Sequence, residues 1–141
     1  TIGVFTLGGS AIGLVAIFTN IALLEVDKVT LAIVSVFILF FLYGLYVGVL
    51  VLERHDSANS LLLPFWIAQV PVVQSHYFSY GLYTGAKFEI LLKSSADIGF
   101  EWGGGAYFTF QLFPGDALAF GANVVAIVVV SMIWKIRRRA F

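Results

Sequence analysis

The chain has 141 residues, of which 60% are hydrophobic and 11% charged, with a mean hydropathy of +0.98. Soluble domains run nearer roughly 45–50% apolar and 25% charged, so this composition belongs with membrane proteins. Formal net charge is zero, which leaves no global field to steer nucleic acid, and the lack of cysteine excludes disulfides, thiolate metal sites and cysteine nucleophiles.

Residues 1–24 carry no charge before Glu25 and are long enough to cross a bilayer as a helix. No basic segment precedes the apolar run, so it reads as a mature span rather than a cleavable signal. Small residues crowd it: Gly3, Gly8, Gly9, Ser10, Ala11 and Gly13. Gly9 and Gly13 form a GxxxG pair that admits a neighbouring helix closely. Asn20 reads as a polar group near the end of the span.

The link Glu25-Val26-Asp27-Lys28 is short, which makes the next span the antiparallel partner of the first. Residues 29–52 contain neither charge nor proline and read as a second transmembrane helix. Its own GxxxG pair is Gly44 and Gly48, beside Tyr43 and Tyr46. All four glycines are expected at helix–helix contacts. Glu53-Arg54-His55-Asp56 reads as a solvated helix end, since His55 with Asp56 offers too few ligands for a metal. Residues 1–56 are thus a transmembrane hairpin.

Residues 57–116 change character. Pro64 and Pro71 interrupt the apolar run 61–73, and Gln69, Gln74 and His76 add polar groups. A short interfacial helix over 58–69 followed by extended chain is expected, with a full span across 60–83 as the alternative. From Lys87 the period becomes two, in KFEILLK, DIGFEW and AYFTFQL, separated by Ser94-Ser95-Ala96 and Gly103-Gly104-Gly105. Three-residue loops between alternating runs predict a three-stranded meander. In that register Leu92 faces Ile98, Ile90 faces Phe100, Phe100 also faces Phe108, Ile98 faces Phe110, and Trp102 faces Ala106. Phe88, Ile90, Leu92, Ile98, Phe100, Trp102, Phe108 and Phe110 then share an apolar face, with Lys87, Glu89, Lys93, Asp97, Glu101, Tyr107, Thr109 and Gln111 opposite. Leu91 is the misfit on the polar side. Residues 77–84 alternate poorly and make a weak fourth strand.

Asp116 is placed to cap a helix, and residues 117–134 read as the last span. Lys135, Arg137, Arg138 and Arg139 follow it as a topology anchor, which puts the C-terminus in the cytoplasm and the meander outside. A nucleic-acid role for this basic tail is rejected, because it directly follows an apolar span. The expected fold is an integral membrane α-helical protein with three transmembrane helices, four as the alternative, and a small extracytoplasmic antiparallel β-meander. Its three parts are the hairpin 1–56, the extracytoplasmic segment 57–116, and the C-terminal helix and tail 117–141. The expected location is a bacterial inner (cytoplasmic) membrane.

No phosphate loop, dinucleotide fingerprint, HExxH or GxSxG occurs. No ionisable residue lies in the middle of a span, as proton relays and coupled transporters need. Glu53, His55, Asp56 and His76 lack a catalytic spacing, so no enzyme, cofactor or metal is expected. The function expected is non-enzymatic: a small membrane protein that self-associates, or serves as an accessory subunit of a membrane complex, through Gly-lined helices and the outer sheet. Its partners are membrane lipid and a second copy or neighbouring subunit. The alternative is an oligomeric pore lined by Asn20, Gln69 or Asn123.

Overall fold

The computed structural model describes residues 1–21, 27–115 and 117–139, with backbone alone for 20, 21 and 139. The expectations placed on the side chains of Asn20 and Arg139, on residues 22–26 and on Asp116 lie outside the described residues.

Helices α1 (Ile2–Ile21) and α2 (Lys28–Leu52) are both long and apolar enough to cross a membrane. At 1.5 Å per residue they measure about 30 and 37 Å. Asp27 starts α2 in an extended conformation, and its Oδ1 accepts from the Thr30 amide at 2.7 Å. Hydrogen bonding from the Thr30 side chain, and then from its amide, holds the Asp27 carboxyl below the ordinary carboxylate range. Arg54, at φ 57°, ends α2 in the left-handed conformation typical of helix C-termini. The two helices are antiparallel, with Gly3 against Val51, Leu7 against Gly48, and Gly13 against Phe41.

Helix α3 (Ala58–Ile67) keeps Pro64 inside it. It runs back along α2. Tyr43 donates to the Leu61 carbonyl at 2.6 Å, Phe65 stacks on Phe40 at 4.7 Å, and Ala68 lies beside Phe37. Leu62, Phe65 and Trp66 are apolar on several sides of the helix, and burying all three requires packing against more than one neighbour.

Four strands follow: β1 (Pro71–Gln74), β2 (Phe78–Lys93), β3 (Ile98–Leu112) and β4 (Ala119–Asn123), and the chain closes with helix α4 (Val124–Arg139). Their order is β1-β4-β2-β3, and β1 also pairs with β2. The meander expectation is corrected here. Leu92 pairs with Ile98 and Ile90 with Phe100, across the loop Ser94-Ser95-Ala96. However, Gly103-Gly104-Gly105 is not a loop. β3 runs straight through it, so Phe108 pairs with Leu82, Phe110 with Tyr80 and Ala106 with Thr84. Residues 77–84 therefore supply the first half of β2. One long ribbon closes a single loop where two hairpins would close two, and its parity keeps every apolar residue on the same face.

The second correction concerns residues 117–134, expected as one helix. Residues 119–123 form β4, which pairs with β1 and with the outer half of β2. β4 thus supplies partners to strands that would otherwise expose their edges, and Gly121 lets it lie close over Ile90 and Leu91.

All of these pairings are antiparallel. A straight β2 cannot satisfy them, because β1 flanks its first half, β4 flanks its second, and β1 and β4 are antiparallel to each other. The ribbon therefore folds back on itself. The bend falls where Gly85 (φ 85°) sits directly opposite Gly105 (φ 110°), a conformation that side chains disfavour. α4 starts at the far end of α3, where the Asn123 amide donates to Val70 O at 2.9 Å, and then packs back along α3. Its basic last turn thus lies at the same end of the molecule as Glu53.

Candidate functional site

Because the ribbon curls, its two faces meet different surroundings. The polar face is the concave one. Its residues from both halves of β2 and β3, with Val72 and Gln74 of β1, line a partly open cavity of about 360 Å³. Lys87 stands at its base and donates to Glu89 Oε2 at 2.9 Å and to Glu101 Oε2 at 3.0 Å. Glu89 and Glu101 are directly paired across the strands, and Lys87 relieves their repulsion. Glu89 is only 4% exposed. Burial opposes the charge on Lys87, but the hydrogen bonds and charges of the two carboxylates outweigh it, so its pKa lies above the ordinary lysine value. The Lys87 ammonium also sits 5.3 Å from the Tyr83 ring centre, and Tyr83 stacks on Tyr107 at 5.9 Å. Leu91 shares this face in register yet is buried, because β4 covers it.

The apolar face is the convex one. Of its eight expected residues, Phe108 and Phe110 lie in the inner half, where Phe108 stacks on Phe37 of α2 at 4.3 Å. Past the bend the ribbon leaves α1 and α2 and, of the described helices, touches only the start of α4. Phe88, Ile90, Leu92, Ile98, Phe100 and Trp102 are all exposed, Phe100 by 64% and Trp102 by 86%. Among the described residues, no hydrogen bond reaches the outer edge of β3, which runs for 15 residues.

Of the four glycines, Gly13, Gly44 and Gly48 lie in the α1–α2 seam, where Gly44 also receives the Phe65 ring of α3. Gly9 faces the sheet instead: an added Cβ would stand 2.8 Å from the Gly85 amide nitrogen. Lys135, Arg137 and Arg138 occupy the last turns of α4, with the Arg138 guanidinium 4.6 Å over the Trp134 ring.

Sequence reasoning missed two buried polar contacts at the junction of α1, α3 and β2. Gln69 Oε1 accepts from the Thr84 amide at 2.8 Å and from the Thr84 hydroxyl at 3.0 Å. Trp66 Nε1 donates to Thr6 Oγ1 at 3.1 Å, and Thr6 donates to the Ile2 carbonyl at 2.9 Å. The signal available in the sequence was isolated Thr and Gln residues inside apolar runs. Asn123 is likewise buried, its Oδ1 accepting from the Val125 and Phe88 amides at 3.1 and 3.3 Å. His55 contacts Ser57, and both it and His76 are exposed. Among the described residues, no group of His, Cys, Asp and Glu is arranged to hold a metal.

What the geometry defines is a protein with two helices long and apolar enough to cross a membrane, joined to a curled antiparallel sheet. Comparison with protein-family models, with curated proteins and with solved structures finds no match to this chain.

Proposed function

We propose that this protein is a non-enzymatic integral membrane subunit that self-associates through the free edge of β3. In this reading α1 and α2 cross the bilayer. The third crossing expected over 117–134 is replaced by a re-entrant pair, since α4 at 16 residues measures about 24 Å against a hydrocarbon core of about 30 Å. The basic turn of α4 and Arg54 then share the cytoplasmic side. The sheet lies alongside the opposite half of the helices, its convex apolar face toward hydrocarbon.

The observation that carries this reading is the β3 edge. It holds 15 residues with no proline or lysine, the devices that usually guard an edge. A lipid-facing sheet edge leaves amides and carbonyls unpaired, which hydrocarbon does not tolerate. A strand supplies those bonds, and a two-fold axis brings β3 of a second copy to the edge in the antiparallel sense. Glu101 is the strand's single charge, and a pairing centred on Gly104 sets it opposite Tyr107 rather than its own equivalent.

Strand parity makes the idea testable. Lys93 N donates to Asp97 O, and Phe113 N donates to Tyr77 O. Odd-numbered residues of β3 therefore bond inward to β2, and even-numbered ones point their backbone groups outward. Phe100→Pro removes an outward amide, Phe100→Ala keeps it, and Gly99→Pro removes an inward one. In bilayer discs the parent and Phe100→Ala should form dimers, Phe100→Pro a folded monomer, and Gly99→Pro a disrupted hairpin. A dimeric Phe100→Pro eliminates the edge as the route. A monomeric parent eliminates self-association, and a stoichiometric copurifying protein would then make it an accessory subunit. The polar cavity favours a second reading, a permeability device, for which ion flux through liposomes is the test.

A further inference from the structure

We propose that the polar cavity of the curled sheet is a binding site for a small organic cation bearing a primary ammonium group. Three observations combine. First, the cavity of about 360 Å³ falls in the size range of small-molecule sites, and polar groups line it, among them Lys87, Glu89, Glu101, Gln74, Thr109 and Gln111. Second, Lys87, Glu89 and Glu101 together carry a net charge of −1. Lys87 uses Oε2 of each carboxylate, and neither Oε1 accepts a hydrogen bond among the described residues. Third, Ser79 is 5% exposed and lines the cavity with a hydroxyl that has no hydrogen-bond partner among the described residues.

Charge fixes the ligand class. An anion would meet an uncompensated carboxylate, whereas one ligand ammonium completes neutrality. Lys87 already shows the recognition the site offers, an ammonium held by two carboxylates over the face of Tyr83. The stacked Tyr107 presents a second ring to the same space. A ligand ammonium takes the free Oε1 atoms, with Ser79 and Thr109 near enough to the cavity to receive the ligand's other polar groups. The inference is independent of the β3 edge and of whether the protein self-associates.

The test is calorimetric titration of the protein in bilayer discs with 1,4-diaminobutane, and with 1,4-butanediol as the neutral molecule of the same length. The diamine should bind, and the diol should bind at least about tenfold more weakly, because charge sets the recognition. Glu101→Gln keeps an oxygen for Lys87 but removes the uncompensated charge. It should weaken the diamine about tenfold or more while leaving thermal unfolding nearly unchanged, since that side chain is half exposed. Lys87→Met raises the net charge to −2 and should tighten diamine binding, the diamine also raising the variant's melting temperature. If Lys87→Met does not fold, Glu101→Gln decides alone. Equal binding of diol and diamine, no binding of the diamine, or an unaffected Glu101→Gln each overturns the proposal.

Discussion

Substituting Gly48 by alanine probes the seam that holds the two long helices together. A Cβ built there stands 2.9 Å from the Leu7 backbone nitrogen and 3.0 Å from Leu7 Cα. Ordinary carbon–carbon contact is about 3.5–4.0 Å, so α1 must retreat by roughly half to one ångström. The obstacle is backbone, and no rotamer change relieves it. The retreat also loosens Gly13 against Phe41 and Gly3 against Val51, which lie in the same seam. Overpacking of this kind costs about 1–3 kcal/mol. Replacing a helical glycine by alanine also gains up to about 1 kcal/mol of propensity, which would mask part of the cost. Gly8 supplies the control, because an added Cβ there meets nothing within 4 Å. The propensity gain is common to both variants, so their difference isolates the clash. Gly48→Ala should therefore be about 1–3 kcal/mol less stable than Gly8→Ala when both are unfolded thermally in the same detergent and followed by helical circular dichroism. Equal stability of the two variants refutes the close approach of α1 and α2 at this point.

Gln69→Leu should cost about 1–3 kcal/mol in the same assay, because it strands the buried Thr84 amide and hydroxyl without an acceptor; an unchanged melting temperature would show that water or another group replaces the amide. Cysteines introduced as Asp56→Cys and Lys135→Cys should react with an impermeant thiol reagent from one side of the membrane and Ser95→Cys from the other, and labelling of Ser95→Cys together with Lys135→Cys would reject the re-entrant arrangement of α3 and α4.

The chain's own pattern was enough for the two long helices. A charge-free stretch of this length has few other ways to satisfy its backbone, and Asp27 marks where the second begins. The alternation between Phe88 and Leu112 was equally legible. Phe100 and Glu101 fall on opposite faces whichever strand they pair with, because the side-chain period is fixed at two. Strand partners were a different matter. Parity is the same for a hairpin closing at Gly103–Gly105 and for a ribbon passing through it, so only the docking of residues 78–84 on α1 and α2 selected the latter. In the same way, apolar residues 119–123 fit a helix or a covered strand equally well, and the unpaired edges of β1 and β2 decided for the strand. The curl was decided in three dimensions too. Gly85 and Gly105 are 20 residues apart, and their opposition at the bend turns the polar face inward and assembles Lys87, Glu89, Glu101, Tyr83 and Tyr107 around one cavity. Sequence placed Lys87, Glu89, Glu101 and Tyr107 on one face and left Tyr83 unassigned; the fold made that face concave, because a ribbon paired antiparallel to both β1 and β4, themselves antiparallel to each other, has to turn back on itself.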